Sequence, residues 1–224
     1  MSRPPRIDMA NYVYHIINRA NAKVDIFNTN SDYQLFEQIL TEAKEKTSMR
    51  ILSYCVMPNH WHLVIYPKKD GDLSRFTGWI TLTHTQRWHV AHDSTGSGHL
   101  YQGRYKSFLV EEDEYFLKLV RYVERNPLKA ELVEKAENWR WSSLYRREKG
   151  TNKEQKILSS WPIDMPDDYL QWVNTNPDNE EIENINSSII RSKPYGKELW
   201  ANKIIKQFGL ETTVRSKGRP KKGS

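Results

Sequence analysis

The amino-acid sequence predicts an α+β fold whose strands and helices follow one another in the order βαββαβ, with a further helix behind them. Two patterns support this prediction. Short runs of β-branched and apolar residues alternate with longer amphipathic segments between residues 12 and 110. A Pro-Asn turn also separates the second and third predicted strands, so these two strands are expected to form an antiparallel hairpin.

The first half of this order needs one strand, one helix and the hairpin. Residues 12–17 predict strand one. Residues 32–46 predict a helix, because their apolar side chains recur on one stripe and capping residues precede them. Residues 50–56 predict strand two, and residues 61–66, joined at their start by His60, predict strand three.

The second half repeats the pattern and adds the extra helix. Residues 73–91 predict a helix, residues 93–98 a flexible loop, and residues 101–110 strand four. A third helix is expected from Glu111 to about Arg125, with its acidic residues at the positive end of the helix dipole. The order is that of a ferredoxin-like antiparallel sheet with helices on one face.

Composition limits the class of protein. The chain has 224 residues, of which 38% are hydrophobic and 12% aromatic, enough for a packed core. Its single cysteine, Cys55, excludes an intramolecular disulfide framework and a thiolate-rich zinc knuckle. The N-terminus lacks the apolar core of a signal peptide, and no apolar stretch approaches the ~20 residues of a membrane span. These features predict a cytoplasmic protein of bacterial type rather than a membrane protein.

The charge pattern predicts a polyanionic partner. The formal net charge is +6, and the last ten residues carry five cations and no acid. Such a tail suits DNA binding, although it could also be a solvated end. Its Gly-Arg-Pro core favours DNA, because such segments enter narrow minor grooves. The candidate DNA contacts in this tail are Lys217, Arg219, Lys221 and Lys222.

Two histidines form the first candidate site. His60 and His62 begin predicted strand three, where alternate side chains share one face and Trp61 points to the other. Their positions are about 7 Å apart along such a strand. Two imidazoles placed in this way can converge on one divalent ion or one anionic group. The alternative is a pair of ordinary core or surface histidines.

The third predicted helix carries the second candidate site. Tyr122 and Asn126 are four residues apart, so they project from one helix face. A tyrosine can attack phosphorus when a metal withdraws charge from the phosphate, and an amide oxygen can be a third ligand beside two histidines. The alternatives are a half-buried packing role for Tyr122 and a helix-capping role for Asn126, because Pro127 follows it.

Three motifs together resemble a known family. These are Met-Pro-Asn-His-Trp-His at residues 57–62, Tyr-Gln-Gly-Arg-Tyr at residues 101–105, and Tyr-Val-Glu-Arg-Asn-Pro-Leu-Lys-Ala at residues 122–130. In order and spacing, residues 10–145 resemble the single-tyrosine, His-hydrophobic-His transposase superfamily, and in particular the REP-associated tyrosine transposases. The resemblance implies a ferredoxin-like nuclease core that acts on single-stranded DNA with hairpins.

The resemblance also implies roles for individual residues. His60, His62 and Asn126 would hold a divalent metal ion, Mg²⁺ or Mn²⁺, although some relatives have glutamine at the position of Asn126. Tyr122 would be the nucleophile, forming a 5′-phosphotyrosine and releasing a 3′-OH. The covalent link stores the energy of the broken bond, so no nucleotide cofactor is needed, and the sequence has no phosphate-binding G-x-x-x-x-G-K-[ST] loop.

Five further cations are candidate DNA contacts. Arg104 and Lys106 alternate in predicted strand four, Arg19 follows strand one, and Arg121 and Arg125 flank the turn that carries the candidate nucleophile. The alternative for each is a solvated position.

The chain is predicted to comprise a catalytic domain at residues 1–147 and a mainly helical C-terminal extension at residues 148–224. The extension begins with a polar linker at residues 150–156 and includes a helix at residues 201–208 that ends at Gly209. We expect it to be a DNA-binding accessory; alternatively, it packs over the active site and restrains it. The sequence does not decide between a monomer and a homodimer.

Two other functions compete with strand transfer. One is a non-catalytic hairpin-binding protein with a relic active site, which the presence of all four site residues disfavours. The other is a metal-dependent hydrolase that uses the histidine pair to activate water. That hypothesis needs a third imidazole or carboxylate beside the pair, and it gives Tyr122 no role.

Overall fold

A four-stranded antiparallel sheet forms the centre of the protein. The computed structural model describes residues 6–215, so the predicted DNA contacts Lys217, Arg219, Lys221 and Lys222 lie outside the described residues. The strands are β1 (Val13–Arg19), β2 (Arg50–Met57), β3 (His60–Tyr66) and β4 (Lys106–Val110). Their order across the sheet is β2-β3-β1-β4, and every neighbouring pair is antiparallel. The predicted α+β fold is therefore confirmed.

Two helices cover one face of this sheet. They are α1 (Asn30–Thr47) and α2 (Asp72–Ala91), and they pack against each other as well as against the strands. Helix α1 begins with a capping box between Thr29 and Asp32, which satisfies backbone N–H groups at its first turn. Trp61 points from β3 to this side and is fully buried in the hydrophobic core there.

The third helix, α3 (Glu114–Lys129), covers the opposite face. It begins later than predicted, because Asp113 is the cap and accepts a hydrogen bond from the backbone N–H of Tyr115. It also ends later, because Asn126 is not a cap and Pro127 lies inside the helix. Proline removes the donor that would bond to the carbonyl of Val123, and the side chain of Asn126 donates to that carbonyl instead, at 3.4 Å.

Strand β4 is shorter than predicted. Tyr101 forms only an isolated bridge with Ala20. Its hydroxyl lies on the α1/α2 side, where Trp61 donates to it and His84 contacts it at 2.7 Å. Regular pairing begins at Lys106. The expected alternation of Arg104 and Lys106 along one strand is therefore wrong, since Arg104 belongs to the segment before the strand.

Five α-helices follow α3 within residues 6–215. They are α4 (Ser143–Lys149), α5 (Asn152–Gln155), α6 (Tyr169–Asn174), α7 (Asn179–Arg191) and α8 (Glu198–Phe208). The predicted linker contains α5, which is held by a capping box between Thr151 and Glu154. Gly209 ends α8 in the left-handed conformation, as predicted. In residues 6–215, none of the helices is both long enough and apolar enough to span a bilayer.

A buried carboxylate ties these helices to the sheet. Glu124 of α3 is fully buried and accepts hydrogen bonds from Ser53 of β2, Ser143 of α4 and Tyr169 of α6. Arg147 of α4 forms a salt bridge with the same carboxylate, which offsets the cost of burying its charge. Helices α6 and α7 also pack directly on α3, so the extension shares its core with the catalytic part.

Candidate active site

His60 and His62 lie side by side on the sheet face that α3 covers. Their ring centroids are 5.0 Å apart. Side chains alternate along β3, so both imidazoles lie on this face and Trp61 lies on the other. His62 is almost completely buried, whereas His60 is partly accessible. The ring of His60 is held by Asn59, whose Oδ1 lies 2.7 Å from His60 Nδ1. An amide oxygen only accepts, so His60 donates from Nδ1 and keeps Nε2 free.

A third histidine, which was not predicted, holds the ring of His62. His15 of β1 is fully buried, and its Nε2 lies 2.9 Å from His62 Nδ1. Its ring also packs on Phe108 of β4, with centroids 4.8 Å apart. The alternation of Val13, His15 and Ile17 in predicted strand one was the available signal, but it becomes informative only once β1 is known to pair with β3.

Burial keeps these imidazoles neutral. Desolvation lowers the pKa of His60 to about 4, with a further lowering by the charge of Arg19. It lowers the pKa of His15 to about 3 and that of His62 well below its ordinary value. At neutral pH each ring is therefore neutral, with one nitrogen protonated and the other able to bind a cation.

Tyr122 faces the histidines from α3. Its ring is 6.0 Å from that of His62, edge to face, and its hydroxyl donates to Asn186 Oδ1 of α7 at 3.2 Å. Burial raises the pKa of the Tyr122 hydroxyl, while the positive charge of Arg19 acts in the opposite direction. Tyr115, the other tyrosine on this helix face, instead packs edge to face on Tyr195.

Asn126 completes the group. Its Nδ2 donates to the carbonyl of Tyr122 at 2.7 Å, one turn back along α3, so its amide oxygen is directed away from the helix backbone. Asn126 and Tyr122 line the same cavity as His60 and His62. In residues 6–215, no cluster of three or more His, Cys, Asp or Glu residues is arranged to hold a metal. Two neutral imidazoles and one amide oxygen are nevertheless groups that can coordinate a divalent cation.

The cavity itself is large and basic. Its volume is about 1300 Å³, above the range of pockets that enclose drug-sized ligands. Strands β1, β3 and β4, the end of α3 and the second half of α7 form its walls. Six cations line it: Arg6, Arg19, Arg104, Lys106, Lys129 and Arg191. Arg19, Arg104 and Lys106 were predicted DNA contacts. Arg6 and Arg191 come from distant parts of the chain, whereas Lys129 was missed although it lies seven residues after Tyr122, on nearly the same helix face.

Two predicted DNA contacts point elsewhere. Arg121 is buried and donates to Thr175 at 2.9 and 3.0 Å, with Glu181 as its ion-pair partner. Arg125 donates to Asn176. Both guanidinium groups thus bind the segment between α6 and α7. Their positions one residue before Tyr122 and Asn126 turn them to a different side of the helix.

None of the curated proteins matches this sequence significantly. Among solved structures, the REP-associated tyrosine transposase bound to a REP hairpin is similar at a TM-score of 0.56 and 19% identity, covering 75% of this chain and 94% of the other. A protein provisionally described as a transposase from Deinococcus radiodurans R1 has a TM-score of 0.41 and 17% identity, covering 55% and 96%.

A family match covers the part of the chain that contributes β1, β3, β4 and Tyr122 to the cavity. Residues 8–126, more than half of the chain, match the family described as IS200-like transposases. The matched region begins before β1 and ends at Asn126. It therefore contains both histidines of β3, Tyr122 and the whole sheet. The chain belongs to the IS200-like transposase family, and it is thereby an enzyme that acts on DNA.

Proposed function

We propose that the protein is a metal-dependent single-stranded DNA endonuclease and strand transferase that acts on hairpin DNA through a 5′-phosphotyrosine intermediate. One observation carries this proposal: Tyr122, the His60–His62 pair and Asn126, which come from two elements on opposite sides of the cavity, all line one basic cavity. A nucleophile, a set of neutral cation ligands and phosphate-binding charges are the parts that such a reaction needs.

Tyr122 makes and breaks the bonds in this proposal. Its oxygen forms a bond to the scissile phosphorus, the bond from phosphorus to the 3′ oxygen breaks, and the leaving oxygen takes up a proton to become a 3′-OH. The 3′-OH of another strand reverses these steps and regenerates the tyrosine. His60, His62 and Asn126 would hold Mg²⁺ or Mn²⁺, which when bound neutralises charge on the phosphate.

Arg19 supports the nucleophile. Burial makes the phenolate of Tyr122 costly, and Arg19 is the cation that offsets this cost. The register of β1 places Arg19 opposite His60, so the guanidinium charge lies beside the histidine pair. A phosphate bound there would be attracted by the same guanidinium group.

Hairpin DNA is the substrate class that fits best. The similar REP-associated transposase is bound to a hairpin, and the two chains share a fold over most of their lengths. At about 1300 Å³ the cavity is larger than a pocket for one drug-sized ligand, and the six cations that line it among the described residues would contact phosphates rather than base edges. A basic chain of this kind would work at the nucleoid.

A labelled hairpin oligonucleotide tests the proposal. We expect incubation with Mg²⁺ or Mn²⁺ to give a covalent protein–DNA adduct on a denaturing gel. Cleavage without an adduct would instead indicate a hydrolase, and binding without cleavage a relic active site. His15 supplies the third imidazole that a hydrolase would need, but its Nε2 is already engaged by His62.

The extension is expected to restrain the nucleophile. Asn186 accepts the hydrogen bond of the Tyr122 hydroxyl, which favours the protonated and unreactive form. We expect Asn186→Ala to increase the initial rate of adduct formation by about two- to tenfold, since one neutral hydrogen bond is worth about 1 kcal/mol. Rates measured under single-turnover conditions will show this. Asn184→Ala, an equal change at an exposed position of α7, should leave the rate unchanged; a slower Asn186→Ala would mean that Asn186 assists catalysis.

The basic tail is expected to add affinity. Replacing Lys217, Arg219, Lys221 and Lys222 with glutamine should weaken hairpin binding and reduce the salt dependence of the binding constant. Each cation that contacts a single strand contributes about 0.7 to the logarithmic slope, so the four together contribute up to about 3. Titrations at several salt concentrations measure both quantities. Equal slopes for the two proteins would show that the tail is only a solvated end.

A further inference from the structure

The two histidines of β3 are each held through the Nδ1 atom. Asn59 Oδ1 contacts Nδ1 of His60 at 2.7 Å, and His15 Nε2 contacts Nδ1 of His62 at 2.9 Å. Both rings therefore retain Nε2 as the nitrogen available to a ligand. The two partners come from different elements: Asn59 belongs to the turn that precedes β3, and His15 belongs to the neighbouring strand β1.

The contact between His15 Nε2 and His62 Nδ1 requires a single proton between the two nitrogens. Two neutral imidazoles that meet nitrogen to nitrogen share a single hydrogen, so one ring donates and the other accepts. If His62 donates from Nδ1, its Nε2 carries a lone pair and can bind a cation. If His15 donates instead, the proton of His62 is on Nε2, and that nitrogen cannot be a ligand.

We propose that His15 is a positioning residue that holds His62 in the tautomer and ring orientation needed to bind a divalent cation. The inference rests on the proposed function, because it assigns His62 as a metal ligand. Metal-binding histidines are generally oriented in this way by an acceptor at their second nitrogen. Here the acceptor is an imidazole, where a carboxylate or a carbonyl is the more common choice.

The surroundings of His15 suit a rigid acceptor. Its ring is fully buried and packs on Phe108, which limits rotation of the side chain. Within residues 6–215, its Nδ1 has no hydrogen-bond partner. A buried polar atom without a partner costs free energy, so its presence in a well-packed core calls for a compensating role. The hydrogen bond to His62 is the only polar contact of this ring among the described residues.

Binding of Mn²⁺ to the purified full-length protein tests the inference. The free Mn²⁺ signal in electron paramagnetic resonance reports binding without relying on activity. We expect His15→Phe, which keeps a flat ring and removes both nitrogens, to weaken Mn²⁺ affinity by about 10- to 100-fold. His15→Gln, whose amide reaches the place of Nε2, should keep the affinity within about threefold of wild type. Cleavage by His15→Phe should recover as Mn²⁺ concentration is raised.

A matched control separates positioning from packing. His84 is equally buried, lies on the other side of the sheet and bonds to Tyr101. We expect His84→Phe to change the thermal unfolding midpoint without changing Mn²⁺ affinity. Nitrogen-15 spectra of the wild-type protein with Mg²⁺ should also show His62 protonated at Nδ1, a signature that ring packing alone does not produce.

The outcomes distinguish this inference from the function on which it rests. If the wild-type protein binds Mn²⁺, His62→Ala does not, and His15→Phe binds as tightly as wild type, the positioning role is overturned while the metal site stands. If His15→Gln is folded but binds as weakly as His15→Phe, the acceptor role is equally overturned. If the wild-type protein with its hairpin binds no Mn²⁺, both the metal site and the inference fall.

Discussion

Phenylalanine in place of Tyr122 will abolish the covalent protein–DNA adduct while leaving the fold and hairpin binding intact. The change removes one oxygen, the atom that forms the bond to phosphorus, and keeps the ring that packs against His62. Loss of a nucleophile costs catalysis by several orders of magnitude. A denaturing gel with end-labelled hairpin measures the adduct, and a filter-binding titration measures the affinity.

Tyr115 provides the matched control. It lies two turns earlier on the same helix, but its ring packs on Tyr195 and its neighbour four residues on is Leu119, which cannot bind metal. Tyr115→Phe should therefore keep adduct formation. Mass spectrometry of a trapped, nuclease-trimmed adduct should place the nucleotide on the peptide that contains Tyr122. A nucleotide on Tyr115, Tyr101 or Tyr105 would overturn the assignment.

Alanine in place of His60 or His62 is expected to abolish cleavage and to leave hairpin binding within a few-fold of wild type. The pair holds the metal in the proposed mechanism, whereas the cations of the cavity wall hold the DNA backbone. Cleavage and binding should therefore separate in these variants. Single-turnover cleavage and equilibrium binding, measured on the same preparation, give the comparison.

Removal of the metal gives an independent check on this result. Excess EDTA should stop cleavage by the wild-type protein without releasing the hairpin, and Mg²⁺ or Mn²⁺ should restore it. Cleavage at the wild-type rate in EDTA would contradict the role of the histidine pair. His89→Ala is a suitable control, because that histidine lies on α2 and contacts Ser94 and Gly98 rather than the cavity.

The central order of strands and helices could be predicted because each element carries its own local pattern. The alternation of His60, Trp61 and His62 also predicted correctly which face each side chain would occupy. Helix α7 was not predicted, although its N-cap Asp178 and acidic first turn are visible in the sequence.

The parts of the site that could not be predicted depend on contacts between distant residues. Asn186 reaches Tyr122 across 64 positions, and His15 reaches His62 across 47. Asn186 carries no local signal, and the alternation around His15 becomes informative only once β1 is known to pair with β3. Helix spacing already turns Arg121 and Arg125 away from the side of Tyr122, but their partners could not be predicted, because they depend on where the segment around Thr175 packs.

The proline inside α3 constrains which residues this chain can accept as the third ligand. The Nδ2 group of Asn126 supplies the donor that Pro127 withholds from the helix, and the oxygen of the same amide would be the ligand in the proposed metal site. An aspartate there would offer a stronger ligand but no donor for the two carbonyls. Replacing the amide by a carboxylate would thus strengthen the ligand but leave the carbonyl of Val123 without a donor. Only a second substitution, at Pro127, would restore a backbone N–H for that carbonyl.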